Sequence, residues 1–203
     1  TFGLSTGVSS NSGKVNVSGD FSLDLGQGFY VEGYAGSKTA DNYKDGDGVS
    51  VRSSYDQKSA GVTLGYEGNG MDLALDIERD RVEDALFPGA GMDSPLSDTS
   101  IYRLRGGVDL DAGILRRIEG NMFLSEVEHV MDNFTLRPAG AMFARTPTTS
   151  DTHGGKLEAH LEFGATTTIS LQVSTSCPSG SNSSSLPRTR SRIRRTTTST
   201  SNA

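Results

Sequence analysis

Residues 14–25, KVNVSGDFSLDL, set Val15, Val17, Phe21, Leu23 and Leu25 on one parity and Asn16, Ser18, Asp20, Ser22 and Asp24 on the other. A period of two marks a strand with one apolar and one polar face. The alternation returns at Val62 and Leu64, then at Met71, Leu73, Leu75 and Ile77 against Asp72, Asp76 and Glu78. It returns once more at Leu157, Ala159, Leu161 and Phe163 against Lys156, Glu158, His160 and Glu162. There are about eight such segments, each near the roughly 9 to 11 residues that a tilted membrane strand needs. The sequence therefore predicts an all-β fold, an antiparallel meander of about eight strands.

The connections sort by length. GQG at 26–28, GNG at 68–70 and DLDAG at 109–113 read as tight hairpin turns, while 38–54, 81–100 and 130–153 read as long polar loops. All the later long loops fall at one end. Short turns at one end, long loops at the other, a polar interior and an apolar exterior make the layout of a transmembrane β-barrel. A soluble sandwich also alternates, but its loops need not sort by end. Residues 114–131 offer a helical reading through Ile114, Ile118 and Met122, yet Gly120 and the unbroken parity through Leu124 favour a strand.

Composition narrows the choice. Only 33% of the 203 residues are hydrophobic, 25 are Gly and none is Trp, so a large conventional core is hard to build. No run approaches the roughly 20 apolar residues of a membrane-spanning helix, and the opening TFGLSTGVSS lacks the pattern of a signal peptide. The aromatic content of 7% is low for the girdles of a membrane barrel. One cysteine, Cys177, excludes an intrachain disulfide and a multi-cysteine metal site.

Several short patterns carry potential chemistry. Gly3-Leu4-Ser5-Thr6-Gly7 matches a nucleophile-elbow pattern, whose mechanics need a strand–turn–helix context that a meander does not supply. Asp41, Asp45 and Asp47 miss the spacing of a calcium loop and read as a solvated surface loop. Asp80, Glu83, Asp84, Asp93 and Asp98 read as hydrated loop acids, or as groups that cations bridge to lipopolysaccharide. His129 and Met131 at i and i+2 point to one side of a strand, with Arg117, Glu119, Asn121 and Ser125 on the same parity. Imidazole plus thioether suits Cu(I) and suits Mg or Ca poorly. Without further support the pair reads as a strand end with an incidental His and Met, because two ligands do not close a site. Met92 and Met142 add thioethers in the long loops.

DNYKDGDG, FPGAGMDSPLSDTSIYRLRGG, VEHVMDNFTLRP and MFARTPTTSDTHGGKLEAHLEFG occur in that order, and their succession resembles the barrel of TonB-dependent outer-membrane receptors, copper-receptor branch. The resemblance covers roughly residues 1–164, and HVMDN followed by LRP is its most specific part. It implies about a third of a barrel of about 22 strands, with no plug, no box for the energy-coupling protein and no closing aromatic-ended strand. It also implies that His129 and Met131 are the barrel half of a Cu(I) site, completed by a Cys-x-x-x-Met pair on the plug. Partners implied for the intact protein are the TonB energy-coupling complex, its own plug domain, outer-membrane lipid and lipopolysaccharide. The location implied is the cell outer membrane, and no enzymatic activity is expected.

From 165 onward the chain loses acids and aromatics and gains an Arg cluster at 188–195. Residues 177–203 carry five Arg and no acid, which leaves 14 basic against 25 acidic residues, or −11, on the rest. The expected organisation is a partial barrel over 1–164 and a disordered Ser/Thr/Arg tail over 165–203. The abrupt change where the resemblance stops is also what a shifted reading frame produces. Charge on the main segment argues against nucleic acid as a partner. The competing reading is a soluble or surface-exposed β-rich binding or adhesion module.

Overall fold

A computed structural model describes residues 1–162, 167–180 and 192–199. Its elements, all strands, are β1 Phe2–Ser9, β2 Lys14–Gly26, β3 Phe29–Ala40, β4 Tyr43–Lys44, β5 Ser50–Val51 and β6 Tyr55–Gly68. They continue as β7 Met71–Ala85, β8 Asp93–Ala112, β9 Leu115–Asp132, β10 Arg145–Glu162, β11 Thr167–Gly180 and β12 Arg192–Ser199. One open sheet runs β1-β2-β3-β6-β7-β8-β9-β10-β11-β12, with every described pairing antiparallel, and β4-β5 is a separate two-stranded hairpin. The main sheet up to β10 holds eight strands in sequence order, the predicted meander.

The turns explain the register. Asn69 and Gly70 have φ of 53° and 71°, and two left-handed central residues make the hairpin turn whose twist matches that of paired strands. The long connections 41–54, 86–92 and 133–144 lie together at the opposite end from the turns after β2, β6 and β8.

One expectation is corrected. The loops are shorter and the strands longer than predicted: β7 to β10 run 15, 20, 18 and 18 residues. The cause is electrostatic, because charged residues that read as loop pair across the ladder, as Arg79 does with both oxygens of Asp98 at 2.6 and 2.9 Å. The segment expected to be a disordered tail contributes β11 and β12 among its described residues. Thr168, Ile169 and Val173 are β-branched and meet the open hydrogen-bonding edge of β10. The remainder of that segment lies outside the described residues.

The sheet has two chemically distinct faces and almost no interior. Among the described residues the buried hydrophobics are Ala40, Ala74 and Val130. The predicted apolar parity stands in the open instead, with Leu73 48%, Met122 60% and Leu157 58% exposed. A packed sandwich buries that face against a second sheet. Along β7 this belt spans Met71 to Ile77, roughly 20 Å of strand at the usual rise, and gives way to Arg79, Arg81 and Glu83 towards the long connections. The few aromatics mark its borders. Phe29 and Tyr66, register partners with ring centroids 4.9 Å apart, sit beside the short turns, and Tyr102 sits at the other edge.

Candidate functional site

The polar face is laced by ion pairs along the strands. Asp76 accepts from Thr63 at 2.8 Å and from Arg105 at 3.2 Å, and Glu78 accepts from Arg103 at 3.1 Å. Arg117 donates to Asp109 at 2.7 Å, to Glu119 at 3.2 Å and to Asp72. Each carboxylate thus meets a cation or a hydroxyl on the same face.

β9 carries His129 and Met131 on the parity of Arg117, Glu119 and Asn121, so both half-buried side chains stand on the polar face, as predicted. His129 is flanked in register by Ser97 on β8 and Thr148 on β10, and Met131 by Thr146 on β10. These small hydroxyl neighbours leave the imidazole and thioether as the large donors of that corner.

What fixes this corner was not legible in the motif. The residues alternating with His129 and Met131, namely Val130 and Asp132, are buried to 5% and 1% exposure. Asp132 accepts from the Phe134 and Thr135 backbone N–H groups at 3.2 and 2.8 Å and from the Thr135 hydroxyl at 2.6 Å. Burial pushes its carboxyl up, but those donors outweigh it and hold it below the usual carboxylate range.

Its register partner Asp93 is wholly buried and joins three connections. Arg137 grips both its oxygens at 2.6 and 2.8 Å, Arg52 adds a contact at 2.6 Å, and the Phe87 N–H adds one at 3.0 Å. Arg52 also reaches the Leu136 carbonyl at 3.0 Å, and Arg137 the Ala90 carbonyl at 2.9 Å. Desolvation opposes ionisation of Asp93, yet these partners prevail and its pKa falls to about 2. Asp93 is therefore a structural hub rather than the hydrated loop acid the sequence predicts. Asp98 is likewise committed to Arg79 and Arg81, and Asp80 accepts from Gln57 at 2.7 Å.

The remaining candidates are ordinary. Ser5 lies mid-strand in β1 opposite Ser18, with no helix following. Asp45 accepts the N–H groups of Asp47 and Val49 at 3.0 and 2.9 Å and so shapes the β4-β5 turn. Met92 is half-buried and Met142 exposed, both in the long connections. Cys177 falls in β11, where only the backbone is described. Ligand atoms of Glu119, Glu158 and His160 lie within 4.8 Å of one another towards the short-turn end. Arg117 and Lys156 already pair with the two carboxylates, and His160 Nε2 stands 3.3 Å from Glu119, so an ion-pair network accounts for this group.

No family model matches the sequence, and no curated protein matches it. Among solved structures, "Copper transporter OprC" matches with a TM-score of 0.74 at 23% identity. The match covers 89% of this chain and 29% of that one, so this chain spans under a third of the length of the structure it resembles. At this identity the likeness establishes the fold: an all-β antiparallel sheet, not closed, consistent with part of a barrel.

Proposed function

We propose that this chain is part of the barrel of a TonB-dependent copper receptor, placed in the cell outer membrane and used for energised copper uptake. The apolar belt faces lipid, the long connections face the exterior with its lipopolysaccharide, and the polar face lines a lumen filled by the plug of the intact receptor. The observation that carries this reading is the placement of His129 and Met131 on the polar face at the long-connection end, backed by buried Val130 and Asp132. A soft donor pair there meets an incoming Cu(I) ion before the ion-paired stretch below it. Copper is cargo in this account, and the protein's chemistry is binding and transfer, not catalysis.

Two donors hold a metal weakly, so the plug supplies the rest of the set in the whole receptor, and engagement with the TonB complex belongs to that assembly. Nucleic acid has no place in it. The soluble-module reading is disfavoured by the belt itself, which no second sheet covers among the described residues. The test is Cu(I) affinity of the intact receptor, with His129→Ala and Met131→Ala. Each substitution is expected to weaken binding by more than about tenfold, since loss of a residue that merely supports a ligand already costs that much. Unchanged affinity in both contradicts the copper assignment and leaves the fold untouched.

A further inference from the structure

The β8-β9 ladder loses its regularity at one place near the ligands. Asp93 pairs with Asp132 and Leu96 with Val130, so Ser94 and Pro95 together face the single residue Met131. Two residues against one is a β-bulge, which bends the strand, raises its twist and redirects the side chain opposite. Pro95 agrees with this, because a proline inside a sheet is tolerated where no ladder hydrogen bond is required.

The bulge is locked on both sides. Ser94 is 2% exposed, and its hydroxyl has the Val130 carbonyl at 3.1 Å and the Leu96 carbonyl at 3.2 Å. The first contact ties the bulge to the residue directly before Met131. On the far side the buried pair Asp93 and Asp132 ends the ladder. Methionine alone is a poor fixed ligand, having three rotatable bonds beyond its backbone. A rigid backbone at 130–132 is what gives its sulfur a defined position.

The geometry points to Ser94 and Pro95 as positioning residues that aim the Met131 thioether towards the metal held by His129. This rests on the copper reading above. Deleting Pro95 restores a regular ladder and slips the face presented opposite Met131, while Ser94→Ala keeps the bulge and removes only its lock.

The experiment uses the intact receptor, plug included, in detergent micelles with methyl-labelled methionine and ring-labelled histidine, Met131 and His129 being assigned through Met131→Leu and His129→Ala, and Cu(I) added under reducing conditions. In the wild type, the Met131 methyl and the His129 ring signals both shift. In the Pro95 deletion the His129 signals still shift, the Met131 response is lost, and strand content is retained. In Ser94→Ala the concentration of Cu(I) needed to shift Met131 rises by about tenfold, the lower end for a residue supporting a metal ligand. A merely structural bulge would leave the split between His129 and Met131 responses unchanged. An undiminished Met131 response in both variants overturns the positioning role. A wild type in which neither ligand responds overturns the copper reading and this inference together.

Discussion

Arg137 Nη2 and Nε hold the two carboxylate oxygens of Asp93 at 2.6 and 2.8 Å across 44 residues of sequence. That fork, with Arg52 as third member, fastens the 41–54, 86–92 and 133–144 connections over the corner that carries His129 and Met131. Arg137→Ala removes two charge-assisted hydrogen bonds to Asp93 and leaves Arg52 as its remaining cation, a loss of about 1.5–3 kcal/mol on the scale of a hydrogen bond to a charged group. Arg137→Ala is therefore expected to lower the urea midpoint and to speed amide exchange across 86–92 and 133–144, with β7 and β8 below Tyr102 unaffected. Uniform loosening of the whole sheet would contradict a local hub.

The same group predicts an acid transition. The folded pKa of Asp93 lies at about 2, below the usual carboxylate value of about 3.9. Its stabilisation is fully present above that unfolded value and is lost as pH falls through the folded one. Between pH of about 4 and about 2 the hub should lose on the order of 2 kcal/mol. Comparing denaturation midpoints at these pH values checks it, and Asp93→Asn should show a flatter dependence over the same window.

The exposed parity makes a prediction about lipid. Leu75 stands mid-belt with Leu64 and Leu104 beside it in register, so Leu75→Arg should destabilise the chain in bilayers by about 2–4 kcal/mol, against about 0–1 for Glu126→Arg beyond the belt. Folding titrations in lipid vesicles separate the two. Equal costs at both positions would remove the membrane reading of that face.

On the polar face, the Tyr30 ring occupies the space a side chain at Gly65 would take, as Tyr34 does over Gly61. Gly65→Ala is expected to cost about 1–3 kcal/mol through overpacking. Adding Tyr30→Ala should make the alanine nearly neutral, a coupling that a double-mutant cycle measures directly.

Much of this architecture was readable because period two survives wherever both faces are constrained. Met71 to Ile77 and Leu157 to Leu161 declare their faces outright, and Asn69-Gly70 names its turn. The parity of Arg117, Glu119 and Asn121 likewise placed His129 and Met131 on the correct face. Strand ends were misjudged because Arg79, Arg81 and Asp98 look like loop residues alone and become ladder residues only as cross-strand partners. Asp93 was invisible as a hub since its meaning lies in Arg52 and Arg137, far away in sequence. One local clue to the bulge was present in Pro95, which a regular ladder does not readily accommodate, though it lay in a stretch read as loop.

Accessibility of single spin labels along residues 72–77, in lipid vesicles and in a Cys177→Ser background, tests the account at its root. The account predicts high oxygen accessibility at 73, 75 and 77, preference for a water-soluble nickel chelate at 72, and low accessibility to both reagents at the buried positions 74 and 76. Protection at 73, 75 and 77 from both reagents would mean that this face packs against protein, and would contradict the barrel placement on which the copper site depends.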